Sequence, residues 1–435
     1  MTHDPASFAE AWPDDTTAFD WPAQADWLPE LRQHALGRFR EHGLPGRQVE
    51  RWKYTRLDGL DQRMPVATKP VSGAVDKPAP LAEAAARVVI SDGGQPVVGG
   101  ELCDGVQLYA LEQALSGGDH ELRELLEGLD ISGSASAMAA LNTASLRHGL
   151  VLRVDANVDA GDMLVQWVAS EAGSGSLANA RICIILEAGA SLNLVEQFES
   201  AGEVLSQANV VIQARLGPGA RLNHVRVVQE SDQAILVTAT DVDQSAGSQY
   251  RYTGLDLGGG TVRHDVRARL REEGAFCSLS GASLTRGRNH VDNHLDAEHH
   301  AMNCSSRQYY RAVLGDRSRT VFNGRVFVAA GADGTDAEQS SAALLLSPLA
   351  EIDSKPELEI YADEVVASHG ATVGQLDENQ LFYLRSRGLD RASARTLLTT
   401  AFCRSVVEQL PNERLRGQLE ARLEESLRAI GVRDA

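Results

Sequence analysis

The sequence has no apolar run long enough to cross a membrane. Its longest, such as Ile182–Leu186 and Ala342–Leu346, hold about five residues, against roughly 20 for a spanning helix. Lysine is nearly missing: Lys53, Lys69, Lys77 and Lys355 are the only four. Acidic residues outnumber basic ones 60 to 41, a formal charge of −19, and no basic stripe stands out. The electrostatic footprint of a nucleic-acid binder is therefore absent. Met1–Glu10 shows neither a basic n-region nor an apolar h-region, so the expected location is the cytoplasm. Cys103, Cys183, Cys277, Cys304 and Cys403 are scattered, with no Cys-x-x-Cys pair. That argues against a disulfide framework and against a self-contained zinc or iron–sulfur site. The five thiols read as small buried apolar residues. Phosphate-loop, nucleophile-elbow and His-Glu-x-x-His signatures are all missing, and Gly258-Gly-Gly260 lacks the lysine a phosphate loop needs.

What remains is ample for a folded core: 435 residues, of which 43% are hydrophobic. The texture changes along the chain. Residues 1–85 read as a helical region and linker, with Trp27 to His42 as a helix stopped by Gly43 and Pro45. Residues 86–150 read as a mixed lead-in, with a strand at Val88–Ile90 and helices over Leu108–Leu115 and His120–Leu129. Residues 151–370 hold short β-rich runs, and 371–435 return to helical stripes.

The middle region repeats. An x-x-Gly-x-x-apolar element recurs with glycines at Gly161, Gly189, Gly219, Gly247 and Gly274, and Gly331 lies about two periods on. Glycine takes φ > 0 without a Cβ clash, so each can turn a coil into a short strand. A single coil cannot bury its own face, but a stack can. The spacing predicts a mainly β fold, a right-handed parallel β-helix of about 28 residues per coil, flanked by N- and C-terminal helical regions. A β-sandwich with glycine turns is the alternative, but its turn signals come every 8–12 residues.

Three features bear on function. His290, His294, His299 and His300 fall close together with Asp292 and Asp296, a set that suggests either a polar solenoid face or a metal-binding solenoid homodimer. Glu357 with Glu359, and Asp363 with Glu364, are paired carboxylates that a β-helix enzyme acting on an acidic polymer would use. Aromatics at 5% are few for sugar stacking. In the C-terminal stretch, Asp377 caps a helix carrying Leu381, Phe382 and Leu384, with Arg387-Gly388 as its stop. Asp390 caps a second helix through Leu397, Leu398 and Phe402, and Pro411 breaks it. A third carries Leu415, Leu419, Leu423, Leu427 and Ile430 on one stripe, suited to packing or to a partner.

The segment 344–388 resembles the C-terminal core of the SufD family of iron–sulfur cluster assembly proteins. The matching pieces are LLLS-x-x-A-E (344–351), K-P-x-L-E-I-Y-A-D (355–363), S-H-G-A-T-x-G (368–374) and L-F-Y-L-R-S-R-G (381–388). SSRQYYRAVL (305–314), VFNGRVFV (321–328) and the Glu50–Thr55 element also match. The resemblance implies a scaffold rather than an enzyme. It pairs with SufB, carries the SufC ATPase and meets a sulfur-donor protein; a homodimer is a further state in isolation. It implies a transient iron–sulfur cluster at the SufB–SufD interface, with nothing tightly bound. His369 matches the family histidine at that interface, and Ala367 stands where many members have cysteine. Asp377, Leu381, Phe382, Tyr383, Leu384, Arg385, Arg387, Gly388, Leu397, Leu398 and Phe402 fall in the stretch that matches the ATPase-docking region.

Overall fold

The computed structural model describes residue 12 and residues 25–57, 60, 79–81, 84–410 and 412–432. Most of the expected linker before residue 85, and the break at Pro411, lie outside them. Two sheets form the body, one of ten strands and one of nine, and successive strands alternate between them. From Asp159–Ala169 to Val365–Gly374, each strand pairs in parallel with the strand two places on. Each coil therefore gives one strand to each sheet. This is the expected parallel β-solenoid, with about 28–30 residues per coil.

The strands alternate as a half-buried pleat must. In Ser191–Ser200, Leu192, Leu194 and Phe198 enter the core between the sheets. Parallel pairing repeats this parity in every coil, so inward residues stand in columns along the axis.

A ladder of left-handed residues turns one corner. Asn157, Gly189, Gly219, Gly247, Gly274, Asn303 and Gly334 all have positive φ. Each donates its N–H to the carbonyl just before the corresponding residue of the next coil, as Gly189 does to Pro218 and Gly219 to Ala246, both at 2.8 Å. The glycine period is thus corrected at both ends. Gly161 sits at a register shift in its strand, and the first rung is Asn157. The rung missing between Gly274 and the next glycine is Asn303, at φ 57°. The following rung is Gly334 rather than Gly331. Asparagine tolerates this region better than other side-chain-bearing residues.

The outer face of the nine-stranded sheet is held by charge. Asp241, Arg267, Asp296, Arg325 and Glu357 stand in one register row, alternating in sign from coil to coil. Directly opposed unlike charges favour this stacking. N-terminal helices, including Leu28–His42, His120–Glu127 and Ala137–Ala144, cover the early coils of that face. The helix expected over Leu108–Leu115 begins only at Leu111, because Val106–Ala110 is a strand. The last helix, Glu413–Val432, lays Leu415, Leu419, Leu423, Leu427 and Ile430 on the other sheet, against Val195, Val227 and Leu255. Its stripe is packing, not a free docking face.

The two ends of the solenoid differ. At the N-terminal end, Ala86–Ser91 joins the ten-stranded sheet and pairs antiparallel with the short strand Val97–Gly100. Val106–Ala110 closes the other sheet in the same way. At the C-terminal end, Glu351–Ile360 and Val365–Gly374 are the last strands of their sheets. Pro356 lies inside the strand Glu351–Ile360; an edge strand tolerates its missing N–H.

The corner ladder yields a test. A Cβ on Gly219 (φ 68°) would meet nothing within 4 Å, so Gly219→Ala costs only backbone strain, about 1–2 kcal/mol. Gly219→Asn costs less, and Asn303→Gly is neutral or stabilising. Urea denaturation midpoints check all three.

Candidate functional site

The open coil presents an unusual layer. Parity places Ile352, Ser354, Pro356, Leu358 and Ile360 inward on one last strand, and Val365, Ala367, His369, Ala371 and Val373 inward on the other. Among the described residues no further coil covers them. Ile352, Leu358, Val365 and Ala367 still touch the core from this end. His369 is exposed, and it is the sole metal-ligating side chain of the layer. Its neighbours Ala367 and Ala371 are small, so a bulky partner group can approach the ring. Outside the layer, Val366 is 70% exposed and Tyr361 64%. Both edge strands also leave backbone groups unpaired on their outer side, a template for a second chain.

A single imidazole does not make a cluster site. Among the described residues no group of three metal-ligating side chains converges.

The helical arm follows the last strand in the chain and packs back on the ten-stranded sheet, where Tyr309 donates its hydroxyl to Ser405 Oγ at 2.9 Å. Asp377 caps Glu378–Ser386 by accepting the Asn379 N–H at 2.8 Å, and Asp390 caps Arg391–Val407 through the Ser393 N–H at 2.8 Å. The docking residues expected from sequence divide into two sets. Phe382 (71% exposed), Tyr383 and Leu397 face solvent with Asp377, Arg385, Arg387 and Gly388. Leu381 is buried, Leu384 and Leu398 are half-buried, and Phe402 packs toward the sheet. The second set anchors the arm.

The histidine cluster is not a metal centre. His290 and His294 point outward while His299 points into the core, where its Nε2 meets Ser306 Oγ at 2.8 Å. The outward pair lies under the Glu50–Thr55 element. Trp52 is buried there with the Arg263 guanidinium 3.9 Å from its ring centre. Thr55 bonds both His290 and Asp292, Arg263 pairs with Asp292, and Arg51 pairs with Asp296 at 2.9 Å. Lys355 closes the clasp on Glu50 at 3.1 Å. The cluster fastens the N-terminal region to the solenoid. Of the paired carboxylates, Glu357 is engaged with Lys355 at 3.0 Å and Glu359 with Arg325 at 2.8 Å, while Asp363 and Glu364 are exposed and only their backbone N–H groups are held, by Asp333 at 3.2 Å. Cys183, Cys277, Cys304 and Cys403 are buried, and burial pushes the Cys183 and Cys403 thiols up to about 12. Cys103 is exposed.

Fold and site together define a class: a two-sheet parallel solenoid that begins with antiparallel strands, ends on two parallel edge strands, and continues into a helical arm. The chain belongs to the SufBD family, since the family model described as "SUF system FeS cluster assembly, SufBD core domain" matches residues 168–402. It is 30% identical over 408 residues to the iron–sulfur cluster assembly protein SufD of Escherichia coli, covering 92% of this chain and 93% of that one. It is 29% identical over 288 residues to an iron–sulfur cluster assembly SufBD family protein of Synechocystis, covering 64% of each chain. It is 26% identical over 294 residues to SufD of Bacillus subtilis, covering 67% of each. Among these relatives the long match is to SufD, as the motifs implied.

Sequence reasoning missed two neutral residues behind His369, Gln308 and Gln339. The available signal was one period: Gln308, Gln339 and His369 are in register on adjacent coils.

The core histidine makes a pH prediction. Burial, with nearby His300, pushes His299 down to about 4. The folded state therefore binds fewer protons than the unfolded one between about 4 and about 6.5. Its stabilisation is complete above that window and is lost as pH falls through it, about 3 kcal/mol at full extent. His299→Gln should make the fall in urea midpoint across this window shallower. An unchanged slope would show that His299 takes up its proton without unfolding.

Proposed function

We propose that this chain is a scaffold subunit for iron–sulfur cluster assembly, whose open coil pairs with a SufB-like sister and whose helical arm carries an ABC-type ATPase. The observation that carries the proposal is the uncapped terminal layer with His369 as its one metal-ligating group. A second solenoid end would cover the exposed apolar residues and satisfy the free strand edges. Neutral imidazole offers a nitrogen lone pair to iron. The cluster is cargo: His369 supplies one ligand and the sister chain the others, so a cluster forms only where the two meet. Without the sister, the same face can pair with a second copy of this chain.

The arm supplies the second contact. Phe382, Tyr383 and Leu397 form an exposed apolar and aromatic set beside Arg385 and Arg387, the composition of a protein interface core. ATP hydrolysis belongs to the docked partner and reaches the open coil through the arm. No described helix is long and apolar enough to cross a membrane.

Two variants separate these roles. His369→Ala should leave the complex with both partners intact on co-purification, while cluster transfer to an acceptor apoprotein falls about tenfold or more. Phe382→Asp with Leu397→Asp should abolish capture of the ATPase with little change in melting temperature, because both side chains are exposed. Normal cluster assembly by His369→Ala overturns the site.

A further inference from the structure

Behind His369 stands a short ladder of amides. Gln308, Gln339 and His369 occupy one inward column on the last three coils of the ten-stranded sheet. Gln308 and Gln339 are each 2% exposed. Gln308 Nε2 donates to two backbone carbonyls, Leu295 O and Arg325 O, both at 3.0 Å. Those two acceptors fix which way the amide lies. Its Oε1 is therefore the acceptor, and Gln339 Nε2 donates to it at 3.0 Å. Gln339 is then oriented in turn: its nitrogen faces the coil behind, and its Oε1 is buried without a partner. The next rung ahead is His369.

A glycine makes room for this arrangement. A Cβ at Gly324 would lie 2.5 Å from Gln308 Oε1 and 2.8 Å from the Phe322 ring. The sequence segments 305–314 and 321–328, which no role yet explains, thus contribute Gln308 and Gly324 to one device.

We infer that Gln339 is a positioning residue: its Oε1, which has no partner in this structure, takes the N–H of His369 when the imidazole turns inward along the column, and so fixes the tautomer that leaves the other ring nitrogen free toward the open end. A buried acceptor with no partner is costly, and the imidazole N–H is the donor the column supplies. Metal-binding histidines are commonly held in this way, with the second nitrogen donating to a carbonyl oxygen. Gln308 acts one step further back, by denying Gln339 the opposite orientation. The inference rests on the scaffold reading for its purpose, but its geometry is a property of this chain alone.

The test is two-bond proton–nitrogen correlation spectroscopy on the full chain labelled with nitrogen-15 at histidine. His369→Ala identifies the resonance. In the unaltered chain, at a pH where His369 is neutral, one tautomer should dominate about tenfold. Gln339→Met keeps the side-chain length and removes the oxygen; the ratio should relax toward that of a histidine in a short peptide. Gln339→Glu keeps an acceptor, so the single tautomer should persist. An unchanged ratio in Gln339→Met overturns the inference. Should that variant fail to fold, a Gln339→Glu ratio no different from that of a histidine in a short peptide does the same. No partner or cluster is present in these spectra. A failure of the tautomer result with cluster assembly still lost in His369→Ala would reject the ladder and spare the scaffold.

Discussion

One constraint organises this molecule: each coil must hydrogen-bond to the coil before it, in register, along two parallel sheets. Every inward residue then belongs to a column and every outward residue to a row. The rows of the nine-stranded sheet alternate in charge, as from Asp241 through Arg267 and Asp296 to Arg325. A slip of one coil would bring like charges together, and a slip of one residue would turn the apolar columns outward. The same constraint makes an end unavoidable. The antiparallel strands Val97–Gly100 and Val106–Ala110 end the two sheets at the first coils, and among the described residues no strand follows Glu351–Ile360 or Val365–Gly374 at the last.

The core between the sheets is not uniformly apolar. Glu196 accepts from Trp167, His224 and Arg226, and Arg226 continues to Thr238 and Thr240. Thr238 meets His264, whose Nε2 donates to Asp256 at 3.0 Å; Ser283 and Asn293 also donate to Asp256, and Tyr310 completes the group. Burial pushes the Glu196 carboxyl up, but Arg226 and His224 outweigh it and hold it down at about 2. Buried charge adds little net stability even when paired. Its effect is on specificity, because a polar chain satisfied across several coils admits one stacking order where an apolar core admits several. The amide ladder from Gln308 to Gln339 carries this kind of order to the open end, one rung behind His369.

Much of this was legible in the sequence, for identifiable reasons. The corner glycines reveal the period because few residues take positive φ; Asn157 and Asn303 escaped because asparagine also serves as an ordinary polar residue. The helix caps at Asp377 and Asp390 were legible because capping is local. What stayed hidden depends on register across coils. The split of His290 and His294 from His299 follows from strand parity, whereas the sequence shows only that they are near. Their burial under Trp52 and Thr55 links positions more than 200 residues apart. The stripe on Glu413–Val432 could be read as amphipathic, but not which surface it meets. Gln308 and Gln339 were overlooked because neutral amides carry no signal of their own until the period aligns them with His369.

We propose that the open coil is where this chain meets its sister and where the cluster is made. Hydrogen–deuterium exchange, comparing the chain alone with the assembled complex, tests it most directly. The account predicts new protection concentrated in Glu351–Ile360 and Val365–Gly374, with the capped N-terminal strands unchanged. Protection confined to the N-terminal end, or to the outer faces of the sheets, would contradict it.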